Sequence, residues 1–220
     1  MSDAPLVYVE TNWIVSTFFR HRNGHKAAND LLDRAEQGKC EIRIPYAVLI
    51  EARHALDSES NRVQSLVTQM SDELATAFRH GEQALSPAVK ALTAEPTNAY
   101  LSRKSDNHID AIREKKGVYL IHDATTEVEE LDRVRSRVRF RETDKFDLYV
   151  LAAVLVNRRK EPAHRPAIFF SENKREFQPK PEPGAKMPDK LYDEERIVSH
   201  YDYSFDSALK LWEMKYSNFK

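Results

Sequence analysis

Acidic side chains recur in this sequence at places where an apolar run gives way to a helix or a loop. Glu10 closes the run LVYV and opens ETNWIVSTFF, and Glu51 lies in IPYAVLIEARHAL. Comparable positions are held by Asp144 and Asp147 in TDKFDLYVLAAVL and by Glu176 in AIFFSENKREF. Open α/β sheets place their chemistry at the carboxyl ends of the strands, and Mg²⁺ and Mn²⁺ prefer oxygen ligands. These acids therefore predict a shared metal site.

Each acid also has an explanation that needs no metal. Asp144 and Asp147 lie three residues apart at the start of a predicted helix, where acids are favoured beside the N-cap residue Thr143. Glu51 taken alone fits a solvated helix position. Glu10 resists such an explanation, because a charge directly after a buried strand costs free energy unless it is paired, bound to a metal or facing solvent. The metal hypothesis therefore depends on the acids taken together and not on any one of them.

The elements that would position these acids are short strands alternating with helices. Only five of the 220 residues are glycine and 31% are charged, which favours solvated helices over a turn-rich all-β protein. Helical patterns separate the strands, and parallel neighbours need such crossover connections. The predicted class is therefore α/β, with a mostly parallel sheet flanked by helices. The five predicted strands are 6–9, 41–44, 118–122, 167–170 and 196–198.

The sequence predicts a single domain over residues 1–220. A long helical stretch at 58–116 is predicted to be an insertion into that domain, and the proline-rich segment 178–195 is predicted to be a loop. The helix at 144–156 is apolar nearly all round, so we expect it to be buried. A last helix is predicted at 205–216.

Composition excludes several classes of protein. Cys40 is the lone cysteine, so neither an internal disulfide nor a Cys/His zinc site is expected. No signal peptide or membrane-spanning run is recognisable, which predicts a cytoplasmic protein without a membrane partner. The chain has 34 basic and 35 acidic residues, so only local clusters can indicate a nucleic-acid partner. Neither a Ser/His/Asp nucleophile pattern nor a phosphate-binding G-x-x-x-x-G-K motif is present.

The acidic segments also form a known pattern when they are taken in order. An apolar strand ends in ETN, a helix carries an acid in IPYAVLIEAR, an alanine-rich helix opens with an acid in DKFDLYVLAA, and a strand is followed by SENKREF. In this order they resemble the PIN domain, the fold of many ribonucleases that include the bacterial VapC-type toxins. The resemblance covers about the first quarter of the chain and residues 118–177. Its residues are Glu10, Thr11, Asn12, Glu51, Asp147, Ser171, Asn173, Glu176 and Phe177.

The resemblance implies a parallel sheet flanked by helices, with an acidic pocket that binds Mg²⁺ or Mn²⁺ and cleaves RNA phosphodiesters. Glu10 and Asp147 would bind the metal directly, and Glu51 would bind it directly or through water. Glu176 would complete the pocket, and the pattern of acids described above adds Asp144 as a further candidate metal ligand. Hydrogen-bonding side chains would orient the ligands or the phosphate. These supporting residues are Thr11, Asn12, Ser171 and Asn173.

The first acid departs from the family pattern, because Glu10 stands where the family usually has Asp. The extra methylene lengthens the side chain by about 1.5 Å. Two functional hypotheses therefore follow. In the first, the protein is an active ribonuclease, either toxin-like or involved in RNA processing. In the second, it is a catalytically weakened PIN-like scaffold that binds a protein partner through the insertion at 58–116. A nuclease directed at DNA is a third. The resemblance also implies an antitoxin or other protein partner, and a homodimer.

Basic residues near the last two acids could hold RNA. The five candidates are taken from a run of arginines that leads into the predicted buried helix and from a pair of basic residues beside Glu176. Phosphate contacts from such residues would make binding depend steeply on salt. The other interpretation is a solvated helix face on which the arginines of 133–141 pair with nearby acids. The predicted nucleic-acid-binding residues are Arg139, Arg141, Lys145, Lys174 and Arg175.

Overall fold

Five short apolar strands form one sheet in the structure of the chain, which is a computed structural model that describes residues 3–20, 22–79, 97–137, 145–172 and 188–216. All neighbouring strands are parallel, in the order β3-β2-β1-β4-β5. The predicted α/β class with a parallel sheet is therefore confirmed. The strands are β1 Leu6–Val9, β2 Glu41–Pro45, β3 Val118–Ile121, β4 Ala167–Phe170 and β5 Ile197–His200.

Eight helices flank the sheet or extend from it in the described part of the chain. Each strand is followed by at least one of them, as parallel connections require. Their bounds are α1 Thr11–Phe18, α2 His25–Glu36, α3 Tyr46–Arg79, α4 Thr97–Arg113, α5 Ala124–Arg137, α6 Lys145–Arg159, α7 Pro188–Glu194 and α8 Phe205–Tyr216.

The core lies around β1, the central strand, and its neighbour β4. Every residue of β1 and β4 is buried, as expected for parallel strands covered by helices on both faces. The close packing of α2 against the start of β3 requires a glycine at position 117. Its φ is +81°, and a Cβ there would lie 2.3 Å from the carbonyl oxygen of Ala35.

The chain divides into two compact units, Met1–Ala52 with Ala111–Lys220, and Arg53–Asp110. The first unit contains the whole sheet. The second contains most of α3 and of α4, and Arg53 forms an ion pair with Asp106 at 3.0 Å within it. The single domain with an insertion at 58–116 stays a prediction, and residues 80–96 of that stretch lie outside the described ranges.

Two predictions about individual segments were wrong in part. The loop predicted at 178–195 contains α7, which begins at Pro188, a residue suited to a first helical turn, and which buries Leu191 and Tyr192. The helix α6 is not buried all round, because Phe146 and Tyr149 are 41% and 43% exposed. These two side chains lie three residues apart on one helix face that the described part of the chain leaves open. Residues 178–187 lie outside the description.

The helices of the described part of the chain run from Thr11–Phe18 to Phe205–Tyr216. None of them is both long and apolar enough to cross a bilayer.

Candidate functional site

The strand order places one pair of strand ends at a topological switch point. From β1 the chain builds the sheet first towards β2 and β3 and later, on the other side, through β4 and β5. In open α/β sheets the crevice for ligands forms where the order reverses, outside the carboxyl ends of the strands. Here that crevice lies between the ends of β1 and β4, and the residues that follow these strands are Glu10 and Ser171.

Glu10 is buried at this switch point and is held by hydrogen bonds. Only 4% of its surface is exposed. The side-chain amide of Asn12 donates to both carboxylate oxygens of Glu10, at 3.0 and 3.3 Å. The backbone N–H of Glu172, just beyond β4, donates to Oε1 of Glu10 at 3.0 Å. The carboxylate therefore links the ends of β1 and β4 across the crevice.

Burial is the main influence on the pKa of the Glu10 carboxyl. Loss of water around the carboxylate raises its pKa to about 7 from an ordinary 4.5, against the lowering effect of the hydrogen bonds from Asn12 and Glu172. The negative charge of Glu51 adds a smaller upward shift in the pKa. The two predicted metal ligands are therefore near enough to repel each other when both are ionised.

Glu51 approaches Glu10 because β2 leads directly into α3. The helix begins at Tyr46, directly after Pro45, and Glu51 lies half-buried in its second turn. The hydroxyl of Thr11 donates a hydrogen bond to Oε2 of Glu51. Thr11 and Asn12 thus each donate a hydrogen bond to one of the two carboxylates.

Two further residues near Glu10, Arg22 and Tyr203, were not singled out from the sequence. Arg22 lies between α1 and α2, and its Nη1 is 3.4 Å from Oδ1 of Asn12 and 3.9 Å from Oε2 of Glu172. Tyr203 follows β5, and its pKa is raised by burial and by the charges of Glu10 and Glu172. The basic pair Arg20 and Arg22 after the first helix was the one sequence signal for a cation here.

Gly24 closes the crevice on the side of α2. A Cβ at this position would lie 2.6 Å from Oε1 of Glu172 and 2.9 Å from the ring of Tyr203. Both distances are shorter than real contacts allow, so this position needs glycine as long as the carboxylate of Glu172 stays in place.

The remaining predicted site residues are only partly described. Asp147 lies half-buried in the first turn of α6, and Ser171 is buried, with its backbone N–H donating to the carbonyl of His200 at 3.0 Å. Within the described ranges, no three His, Cys, Asp or Glu side chains gather closely enough to hold a metal ion. Asp144, Asn173 and Glu176 lie outside those ranges.

The predicted basic residues fall almost entirely outside the description as well. Lys145 begins α6, but its side chain is not described. Two arginines of the same run, Arg133 and Arg137, form ion pairs with Glu194 at the end of α7. Those two belong to a salt-bridged helix face. The residues outside the described ranges are Arg139, Arg141, Lys174 and Arg175.

Comparisons with known proteins add no family to this geometry. No protein-family model matches the chain, and no curated protein matches its sequence. The PIN domain therefore remains a resemblance carried by the four acidic motifs.

Proposed function

We propose that the protein is a metal-dependent ribonuclease whose active site lies at the switch point between β1 and β4. The observation that carries this proposal is the buried carboxylate of Glu10, paired with the nearby Glu51 where α/β sheets bind their ligands. A buried carboxylate that repels a second one costs stability, and a bound cation would offset that cost.

The donor atoms around Glu10 suit Mg²⁺ or Mn²⁺. Mg²⁺ is commonly held by one or two carboxylates, together with waters and substrate phosphate oxygens, so a full protein cage is not needed. Glu10 and Glu51 would hold the metal, and Asp147 with Glu176 are the further ligands that the resemblance proposes. The metal would supply an activated water and neutralise charge on the phosphate.

The chain's own residues would bind and orient the reactants. Asn12 fixes the rotamer of Glu10 and Thr11 fixes that of Glu51 through the hydrogen bonds described above. Arg22 carries a guanidinium beside Asn12 and Glu172, and its 3.9 Å separation from the Glu172 carboxylate leaves it able to turn towards a phosphate. The substrate phosphate would then be held by the Arg22 guanidinium on one side and by the metal ion on the other.

The biological setting that fits this activity is toxin-like or RNA-processing. The same resemblance favours a protein partner such as an antitoxin, and a homodimer. Sedimentation of the purified chain at several concentrations would test the dimer.

The experiment is a cleavage assay with purified full-length protein and a matched pair of carboxylate variants. Single-stranded RNA, structured RNA and single-stranded DNA are incubated with Mn²⁺ or with EDTA. We expect metal-dependent RNA cleavage that falls at least about a hundredfold in Glu10→Gln, the order of loss for a catalytic group. Glu129→Gln removes an exposed carboxylate from α5 and should leave the rate unchanged.

Mn²⁺ binding, measured by calorimetry, and circular dichroism complete the test. If the folded wild type neither binds Mn²⁺ nor cuts RNA, the ribonuclease proposal is wrong. If the wild type cuts single-stranded DNA but not RNA, the protein is a DNA-directed nuclease and the ribonuclease proposal is wrong.

A second candidate function has one observation in its favour. Leu66 and Met70, four residues apart on α3, are 52% and 54% exposed, which gives the predicted insertion an apolar strip suited to a protein partner. In this proposal the chain is a catalytically weakened scaffold. The double variant Leu66→Ser, Met70→Ser would then lose a cross-linked partner in cells, while a Glu10→Gln variant would keep it.

A further inference from the structure

An apolar cavity of about 290 Å³ opens in the first unit of the chain, beside the proposed active site. It is bounded by the start of α3, the residue after β3, and facing sides of α5 and α6. Aromatic rings supply much of the wall. The ring-bearing residues are Tyr46, His122, Phe146 and Tyr149.

These rings are open to solvent, unlike the aromatic residues of the core. Tyr46, Phe146 and Tyr149 are 49%, 41% and 43% exposed, whereas Tyr8 and Trp13 are completely buried. Three large rings thus line one concavity and keep almost half of their surface exposed, which is not the environment of a packed core.

The cavity is continuous with the elements that carry the proposed catalytic acids. Ala47 lies in its wall, and Glu51 follows one helical turn later on the same face of α3. Phe146, also in the wall, directly precedes Asp147. The cavity lies at the ends of β2 and β3, and parallel strands are spaced by about 5 Å, so it lies on the order of 10 Å from the end of β1.

One edge of the cavity is polar and held in place. The backbone N–H of Asp123 donates to Oε1 of Glu127 at 2.8 Å, which fixes that carboxylate at the start of α5. Nδ1 of His122 lies 3.7 Å from Oε2 of Glu127, and the His122 ring contacts Tyr46 with centroids 5.4 Å apart. The wall therefore offers ring faces for stacking and a carboxylate that can accept hydrogen bonds.

We propose that this cavity binds one unpaired nucleobase of the substrate. The inference rests on the proposed ribonuclease function and deepens it. A nucleobase has two π faces and a polar edge with amino donors, and it matches a cavity with aromatic walls and one fixed acceptor. The volume lies at the lower end for ligand clefts, so it suits one ring system better than a helix of a partner protein.

Binding is measured separately from cleavage, in EDTA, by fluorescence anisotropy with labelled single-stranded RNA. One oligonucleotide carries the fluorescent base 2-aminopurine, and another of equal length carries abasic sites. The test variants are Tyr149→Leu and Phe146→Leu, which keep apolar bulk and remove a ring. Tyr149→Phe keeps the ring, and Tyr119→Leu removes an exposed ring outside the cavity.

We expect each Leu variant of the cavity to weaken RNA binding about tenfold, the usual loss of one base–aromatic stack. Quenching of 2-aminopurine should fall with it, and the abasic RNA should bind weakly even to the wild type. Tyr149→Phe and Tyr119→Leu should bind as the wild type does. Circular dichroism and thermal unfolding identify variants whose fold is lost.

Three results would overturn the proposal. If the cavity variants and the abasic RNA bind like the wild type while metal-dependent cleavage persists, the nucleobase site is wrong and the ribonuclease function stands. If the wild type neither binds nor cleaves RNA, the function fails and the nucleobase site with it. If Tyr149→Leu converts a dimer to a monomer without changing RNA affinity, the cavity is an interface between copies of the chain.

Discussion

Burial of Glu10 makes the stability of the metal-free protein depend on pH. The folded state holds the Glu10 proton more tightly than the unfolded chain does, because burial raises the pKa from 4.5 to about 7. The favourable contribution of this proton is therefore complete below about pH 4.5 and is lost as the pH rises to about 7. Above that pH the folded protein carries a buried anion.

The size of the effect follows from the two pKa values. A shift of one unit corresponds to about 1.4 kcal/mol, and over the interval from pH 5 to pH 8 the shift in Glu10 lowers the free energy of unfolding by about 2.5 kcal/mol. Urea denaturation in EDTA at these two pH values measures it. Glu10→Gln keeps the volume and one acceptor oxygen but carries no titrating group. Between pH 5 and pH 8, the free energy of unfolding of this variant should therefore fall by about 2.5 kcal/mol less than that of the wild type.

The control is Glu129→Gln, the same chemical change at an exposed position of α5, which should preserve the pH dependence of the wild type. Parallel pH profiles for wild type and Glu10→Gln would refute the reasoning, because they would mean that the Glu10 carboxyl is as well solvated when folded as when unfolded. Mn²⁺ extends the test. At pH 8, added Mn²⁺ should raise the free energy of unfolding of the wild type as the Mn²⁺ concentration exceeds its dissociation constant. The free energy of unfolding of Glu10→Gln should change little.

Three further substitutions test how the structure supports the site. Gly24→Ala should cost about 1–3 kcal/mol in urea denaturation and slow RNA cleavage, because the new Cβ would lie 2.9 Å from the buried ring of Tyr203 and would displace the carboxylate of Glu172. Arg158→Ala should cost at least about 3 kcal/mol, because the buried guanidinium donates to three backbone carbonyls. Gly117→Ala should lower the thermal midpoint well below that of Gly38→Ala. Both positions have positive φ, but only the first would clash with α2.

The sheet could be predicted because its strands are short, largely apolar segments that are each followed by a helix. The runs at 6–9 and 167–170 became β1 and β4 with unchanged bounds, since strands buried on both faces need apolar residues throughout. The last strand was placed less well. Predicted at 196–198, it runs from Ile197 to His200, because Arg196 adopts a positive φ and Ser199 and His200 continue the pairing with β4.

The convergence of side chains at the crevice could not be predicted in full. Local patterns do not specify that β4 pairs with β1, yet this pairing brings the backbone N–H of Glu172 to Glu10 across 162 positions of the chain. Arg22 was missed for the same reason, since nothing in its neighbourhood indicates that the segment before α2 lies beside Glu172, just beyond β4. The open rings of α6 were missed because hydrophobicity predicts burial and cannot distinguish a packed face from a concave one.

The length of the first acid is explained by the bonds that Glu10 makes. An Asp at this position would end about 1.5 Å short of the present carboxylate. The Glu carboxylate spans the crevice and accepts the N–H of Glu172 from the far strand, while Asn12 donates to both of its oxygens. These donors satisfy a buried anion in the absence of a metal, so they compete with a cation for the same oxygens. The extra methylene therefore gives the apo site a stable arrangement of its own, and the affinity for metal depends on how far Glu51 and the substrate phosphate outweigh those hydrogen bonds.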